Sequence, residues 1–182
     1  PDALEYRRRM GLLDYDERMA VLIQKVVGSQ FGRHYFPALA GVAFSHNPFR
    51  WNARIRREDG LVRLVWGLGT RAVDRVSKEY PRMIALSHPT LRPEMGAQEV
   101  SRYSQHLVDV LDLQNNRLET LPTYELLSSR YPGLHLIASV NHGDYVQPLF
   151  SLLDEPDPHA LVLTFDNLVA NIKSVIYIET RK

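Results

Sequence analysis

Apolar and polar positions alternate in short blocks along this chain, and no block is long enough for a dominant helix. Residues 3–13 (ALEYRRRMGLL) bring Leu4, Met10 and Leu13 to roughly one side of a helix, weakened at its end by Gly11. Asp14, Tyr15, Asp16 and Glu17 make a polar break. Residues 19–27 (MAVLIQKVV) form a β-branched run, interrupted by Gln24 and closed by Gly28, and predict a strand. Residues 29–36 (SQFGRHYF) show no sustained period and read as loop. Residues 39–46 predict a strand stopped at Asn47-Pro48, because proline cannot donate to a ladder. Residues 61–66 predict another strand, which ends in Gly67-Leu68-Gly69-Thr70-Arg71. Residues 71–76 fit a short helix or further strand.

The second half is richer in hairpin signals. Residues 82–87 predict a short strand ending at Pro89, and residues 97–103 a helical turn. The clearest hairpin is VDVLDLQNNRLETLP, with Asn115-Asn116 at its turn. Thr123 then suits the N-cap of a helix over YELLSSRY, stopped by Pro132-Gly133. Residues 134–140 and 143–148 predict a second hairpin around Asn141-His142-Gly143. After the acidic, proline-rich loop DEPDPH, residues 161–165 predict a strand, and Asp166 caps a final helix. Hairpins mixed with short helices predict an α+β fold, with a mixed, largely antiparallel sheet and flanking helices, rather than a doubly wound one.

Composition bounds this picture without deciding it. The chain has 182 residues, enough for one domain, with 45% apolar and 24% charged residues. No apolar run approaches the roughly 20 residues that span a bilayer. No secretory leader is visible. Without cysteine there is no thiolate nucleophile, disulfide or cysteine-ligated zinc, which fits a cytoplasmic protein. The opening PDALEYRRRM begins without Met and reads as a piece of a longer polypeptide. The net charge is +1, yet 18 of the 22 basic residues are Arg. A GC-rich genome would account for most of such a skew. It does not explain the seven Arg against three acids between Arg50 and Arg75.

Candidate chemistry concentrates there. Two strands ending in Asn-Pro and Gly-x-Gly can set backbone N–H groups and arginines around a phosphate. The Gly67-Leu68-Gly69 turn is neither a dinucleotide fingerprint nor a Walker loop, and alone it is more often structural. Arg54, Arg56 and Arg57 read first as a solvated face. Arg63 interrupts an apolar strand, so it needs an anionic partner if its face is covered. Arg63, Arg71 and Arg75 are the candidate phosphate contacts. Glu58 and Asp74, the acids nearest the glycine turn in sequence, are the candidate Mg²⁺ contacts, with salt bridges to neighbouring Arg as the commoner role. The seven His show no metal spacing. Nucleic-acid binding is disfavoured by the near-zero net charge and the lack of a paired aromatic platform.

Met19–Gly28, Gly41–Pro48 and Val65–Val76 occur in an order that resembles the nucleotide-binding domain of phosphoenolpyruvate synthase and pyruvate phosphate dikinase. In that family AV.VQ.MV precedes SGV.FT.NP, and GLGE.VV.G follows. The resemblance is firm over residues 19–81. It implies an ATP-grasp fold, here a partial domain within residues 1–182, in which two α+β subdomains clamp ATP and Mg²⁺ bridges its phosphates. It sets Gln24, Lys25, Val26 and Val27 along adenine, and Asn47, Gly67 and Gly69 on the phosphate and metal side. It also implies a phosphohistidine domain and pyruvate as partners of the full-length enzyme, an ATP-dependent kinase-type transferase. Four departures stand out: Thr70 replaces the family's acid, Arg75 replaces a glycine, Ser77-Lys78 replaces the downstream Arg/Asn-x-Pro pattern, and Phe49-Arg50-Trp51 replaces a Thr-Gly. The upstream Arg-Ser-Ser segment is not present, so these 182 residues alone are expected to lack transfer activity. The alternatives are a non-catalytic nucleotide-binding or regulatory module and, behind it, an Arg-rich nucleic-acid binder.

Overall fold

A computed structural model describes residues 2–13, 20–73, 80–128, 130–150 and 156–171. Three antiparallel sheets organise them. The first contains β1 (Ser29–Phe31), β2 (His34–Phe36), β6 (Leu107–Asp112) and β7 (Arg117–Pro122) in that spatial order. The second is β3 (Ala40–Phe44), β4 (Leu61–Val65) and β5 (Arg82–Ala85). The third is β10 (Leu161–Leu163), β8 (Ala138–Asn141) and β9 (Val146–Pro148). Helices are short: α1 (Asp2–Arg9), α2 (Thr70–Val73), α3 (Ala97–Arg102), α4 (Thr123–Leu126), α5 (Leu134–Ile137) and α6 (166–171). Among the described residues no helix is long and apolar enough to cross a membrane. This is the α+β character that the hairpin-rich pattern predicts.

The core forms where the sheets meet. Trp66, fully buried, packs edge-on against Phe36 and Tyr131, with ring centroids 5.5 and 5.0 Å away. Val108 and Val110 of β6, Leu64 of β4, Ile84 of β5, and Leu161, Leu163 and Phe165 of and after β10 complete it. Gln105 joins the first two sheets where no strand does. Its buried amide accepts from the Trp66 N–H at 2.8 Å and donates to the carbonyls of Trp66 and Leu107 at 2.9 and 2.8 Å. A side chain thus stands in for a missing backbone neighbour and leaves no orphaned peptide group.

Several expectations need correction. Residues 20–28 form no strand, and Val21, Leu22, Ile23 and Val27 are at least 80% exposed. Strand propensity is realised only where a run pairs with a neighbouring strand, and among the described residues this run pairs with none. Residues 29–36 are a hairpin rather than loop. Gly32, at φ +61°, supplies the left-handed turn that lets Phe31 face His34. The apolar side of α1 exists but buries nothing, with Leu4, Met10 and Leu13 exposed. Residues 134–137 are helical before β8 begins, since a short apolar run does not by itself distinguish the two states. Thr123 caps no helix with its side chain. Its N–H extends the β6–β7 hairpin by donating to the His106 carbonyl at 2.8 Å, and α4 ends at Leu126. The polar break at residues 14–17 and the second half of the 71–76 segment lie outside the described residues.

Candidate functional site

The predicted residues fall into two groups at opposite ends of β4. At its start, the Asn47-Pro48 turn and Arg63 border one groove. Asn47 is fully buried. Its N–H donates to the Arg57 carbonyl at 2.7 Å, and its Oδ1 accepts from the Phe49 N–H at 2.9 Å. That Asx turn fixes the exit of β3 and leaves Asn47 Nδ2 buried without a hydrogen-bond partner among the described residues. Register places Val42, Arg63 and Met83 side by side across β3, β4 and β5, with Phe44 and Leu61 on the same face. Phe44, Leu61, Arg63 and Met83, together with His46, Pro48 and Phe49, line an open groove of about 810 Å³. A smaller cavity of about 360 Å³ shares Arg63 and Met83 and adds Tyr80, Glu94, Glu99 and Tyr103. Arg63 therefore stands between two adjoining hollows, one mainly apolar and one with carboxylates.

At the other end, Gly67 to Arg71 is bound to β6. Gly67 has φ +84°, and a Cβ there would collide with Val108 Cγ2 and lie 2.8 Å from the Asp109 carbonyl oxygen. The close approach that glycine permits is thus to a neighbouring strand. Gly69 meets only Ala40 Cβ at 3.5 Å, an ordinary contact. Leu68 N–H donates to the Asp109 carbonyl at 2.9 Å. The Asp109 carboxylate accepts from Thr70 Oγ1 at 2.6 Å, from Thr120 Oγ1 at 2.6 Å and from Arg71 Nη2 at 2.9 Å. Burial alone would raise its pKa. The hydrogen bonds from Thr120, Thr70 and Arg71, together with the Arg71 charge, outweigh burial and hold it below the usual carboxylate range. The Arg71 side chain is only 11% exposed, so its guanidinium faces β6 and β7.

Glu58 lies elsewhere. It sits in a 3-10 turn, Arg57–Asp59, before β4 begins, its side chain is 66% exposed, and it pairs with Arg56 at 3.7 Å. The length of β4 separates it from the glycine turn, so adjacency in sequence does not become adjacency in space. The acid beside the turn is Asp109, which sequence reasoning missed. Its signal was present: a carboxylate inside the apolar strand VDVLD is the same anomaly as Arg63 in LVRLV. Asp74 and Arg75 lie outside the described residues. Gln24, Lys25, Val26 and Val27 are exposed, and Val26 accepts through its carbonyl from the Tyr35 hydroxyl at 3.2 Å. Among the described residues, no three His, Asp or Glu side chains cluster as a metal site would require.

A second buried charge group lies outside both clusters. Arg82, with its side chain 3% exposed, faces Asp166 at 3.8 Å and Glu94 at 4.0 Å, while Arg92 meets Asp166 at 3.4 Å. Burial first, and then the Arg92 charge, push the Arg82 pKa down to about 10 against the pull of the two acids. Arg92 Nη2 also donates to the Thr164 carbonyl at 2.9 Å, so the group ties β5 to the region after β10.

Comparison with known proteins gives one match. The family model described as pyruvate phosphate dikinase, AMP/ATP-binding domain, covers residues 1–148. No curated protein and no solved structure matches.

Proposed function

Because the chain belongs to the pyruvate phosphate dikinase AMP/ATP-binding domain family, we propose that it is the nucleotide-holding part of a phosphoenolpyruvate synthase-related, ATP-dependent phosphotransferase. The architecture is ATP-grasp-like, with residues 1–182 forming one part of that clamp. The family match carries this reading. The groove beside Arg63 is where the nucleotide would sit, since its volume of about 810 Å³ suits a ligand of that size. Phe44, Phe49, Pro48 and Met83 offer apolar walls for a base, and Arg63 offers the planar fork that phosphates favour. A phosphohistidine domain and pyruvate would be partners of the full-length protein.

Neither Glu58, which is remote, nor Asp109, which is already held by Arg71 and two hydroxyls, fits a Mg²⁺ ligand, and Asp74 lies outside the described residues. No step is therefore assigned to that ion. What the residues can do is position and neutralise, which is most of what phosphoryl transfer asks of a protein. One observation favours a second reading, nucleotide binding without transfer: Thr70 and Arg71, which would face the phosphates, both face Asp109 instead.

Calorimetric titration of this chain with Mg·ATP tests the first claim. Arg63→Ala is expected to weaken binding by roughly tenfold or more, the loss of one charge-assisted contact. Unchanged affinity in that variant, or no binding by the natural chain, would sink the assignment of the groove. Phosphohistidine formation in the full-length protein then separates the two readings.

A further inference from the structure

The smaller hollow, of about 360 Å³, carries charges of both signs. Arg63 and Met83, register partners on β4 and β5, form part of its lining. Helix α3 and the loop before it supply the rest of its charge. Glu99 on α3 and Tyr103 at its C-terminal cap are four residues apart and so fall on one side of the helix, and Glu94 precedes them. Tyr80 packs edge-on against Tyr103, with ring centroids 5.1 Å apart. Glu94 gives the hollow a demand of its own. Its side chain is 14% exposed, and Arg82 Nη1 stands 4.0 Å from it, beyond hydrogen-bond reach. Among the described residues Glu94 Oε2 is buried with no hydrogen-bond partner. A carboxylate left short of donors is costly to bury, and a ligand N–H that reaches it recovers part of that cost. Glu99 is already fixed in place, because its Oε2 accepts from the Met95 N–H at 2.8 Å.

These charges select a ligand class. A phosphate would meet two carboxylates here, and a simple amine would meet the Arg63 guanidinium. An α-amino acid carries both complementary charges on one carbon. Its carboxylate suits the planar fork of Arg63, and its ammonium suits Glu94 and Glu99. Met83, Pro81, Pro93 and the Tyr80–Tyr103 pair leave its side chain an apolar surround. The volume stands at the lower end of small-molecule sites, which run from roughly 300 to 1,000 Å³. We propose that this hollow binds a free α-amino acid with an apolar side chain, its carboxylate on Arg63 and its ammonium at Glu94 and Glu99. Because Arg63 also borders the groove, an amino acid bound here engages the guanidinium that a nucleotide would use and weakens nucleotide binding. That last consequence rests on the function proposed above; the amino-acid site does not.

Calorimetric titration of this chain with L-leucine and L-phenylalanine tests the site, beside isocaproate and isoamylamine, which are leucine without its ammonium and without its carboxylate. An amino acid should bind, and each leucine analogue should bind roughly tenfold more weakly than leucine, the loss of one charge-assisted contact. Glu94→Gln should weaken leucine by a similar factor and leave isocaproate unchanged. Glu99→Gln keeps an acceptor for the Met95 N–H and serves as the second variant should the first disturb the fold. No binding of either amino acid up to about 10 mM, equal binding of leucine and isocaproate, or unchanged leucine affinity in both Gln variants overturns the proposal. Leucine and Mg·ATP should each weaken the other by the same factor, and independent binding overturns the sharing of Arg63. If leucine binds while Mg·ATP does not, the nucleotide assignment fails and this site stands. If Mg·ATP binds while neither amino acid does, this site fails and that assignment stands.

Discussion

Asp109 gathers three side chains from two places: Thr70 and Arg71 at the start of α2, and Thr120 on β7. Asp109→Ala removes the acid and leaves the mostly buried Arg71 guanidinium without its counter-charge. A loss of about 2–3 kcal/mol is expected, read as a lower urea midpoint, and an unchanged midpoint would show the cluster to be ornamental to stability. Legibility at this scale is uneven. Arg63 is visible in sequence because a charge inside an apolar strand must be accounted for, and the structure sets it at the groove. Asp109 carries the same mark. Its partnership with Thr70, 39 residues away, is invisible, because one sequence holds no information on which distant strands become neighbours.

Among the elements, the glycine turn gives the sharpest contrast. Gly67→Ala puts a Cβ into Val108 and imposes a left-handed φ on an L-residue, costing about 3 kcal/mol. Gly69→Ala meets only an ordinary contact and should lie within about 0.5 kcal/mol of the natural chain. Equal midpoints for the two variants in denaturant unfolding would contradict the packing described here. Strands β3, β4, β5, β6 and β7 are legible, because apolar runs bounded by Asn-Pro, Gly and Asn-Asn signal both their type and their ends. The β1–β2 hairpin is not, as three-residue strands are too short to show a period. Residues 20–28 mislead in the other direction: their propensity is real, but pairing needs an edge that propensity does not specify.

For the molecule as a whole, acid is the revealing perturbation. Asp59, Asp109 and Asp112 all have pKa values held below the ordinary carboxylate value. Hydrogen bonds from Ser87 and from the Arg56 N–H do this for Asp59. For Asp112 the Asn115 side chain leads. A carboxylate with a depressed folded pKa contributes stability that is complete above its unfolded value, near 4, and is lost as pH falls through the folded value. The melting temperature should therefore hold steady from about pH 7 to 5 and fall as pH drops below about 4; a flat profile down to pH 3 would refute it. Arg82 has the opposite sign. Its folded pKa, about 10, lies below the ordinary arginine value, so its charge costs stability at neutral pH, a cost eased only above about pH 10. The α+β class is readable from the hairpin series. The division into three sheets joined by Gln105 and the Arg82 group is not, because those ties are side-chain contacts between remote segments.

The Thr70–Asp109 hydrogen bond also bears on ancestry. The family resemblance expects an acid at position 70, where this chain has a threonine whose hydroxyl lies 2.6 Å from a carboxylate. An acid restored at 70 would bring two negative charges to that spot, with Arg71 the one cation bonded there among the described residues. The two positions are therefore yoked: Thr70→Glu is expected to lower the urea midpoint, and Asp109→Asn to restore it. Related chains are therefore expected to sort into those with an acid at 70 and those with one at 109, seldom both.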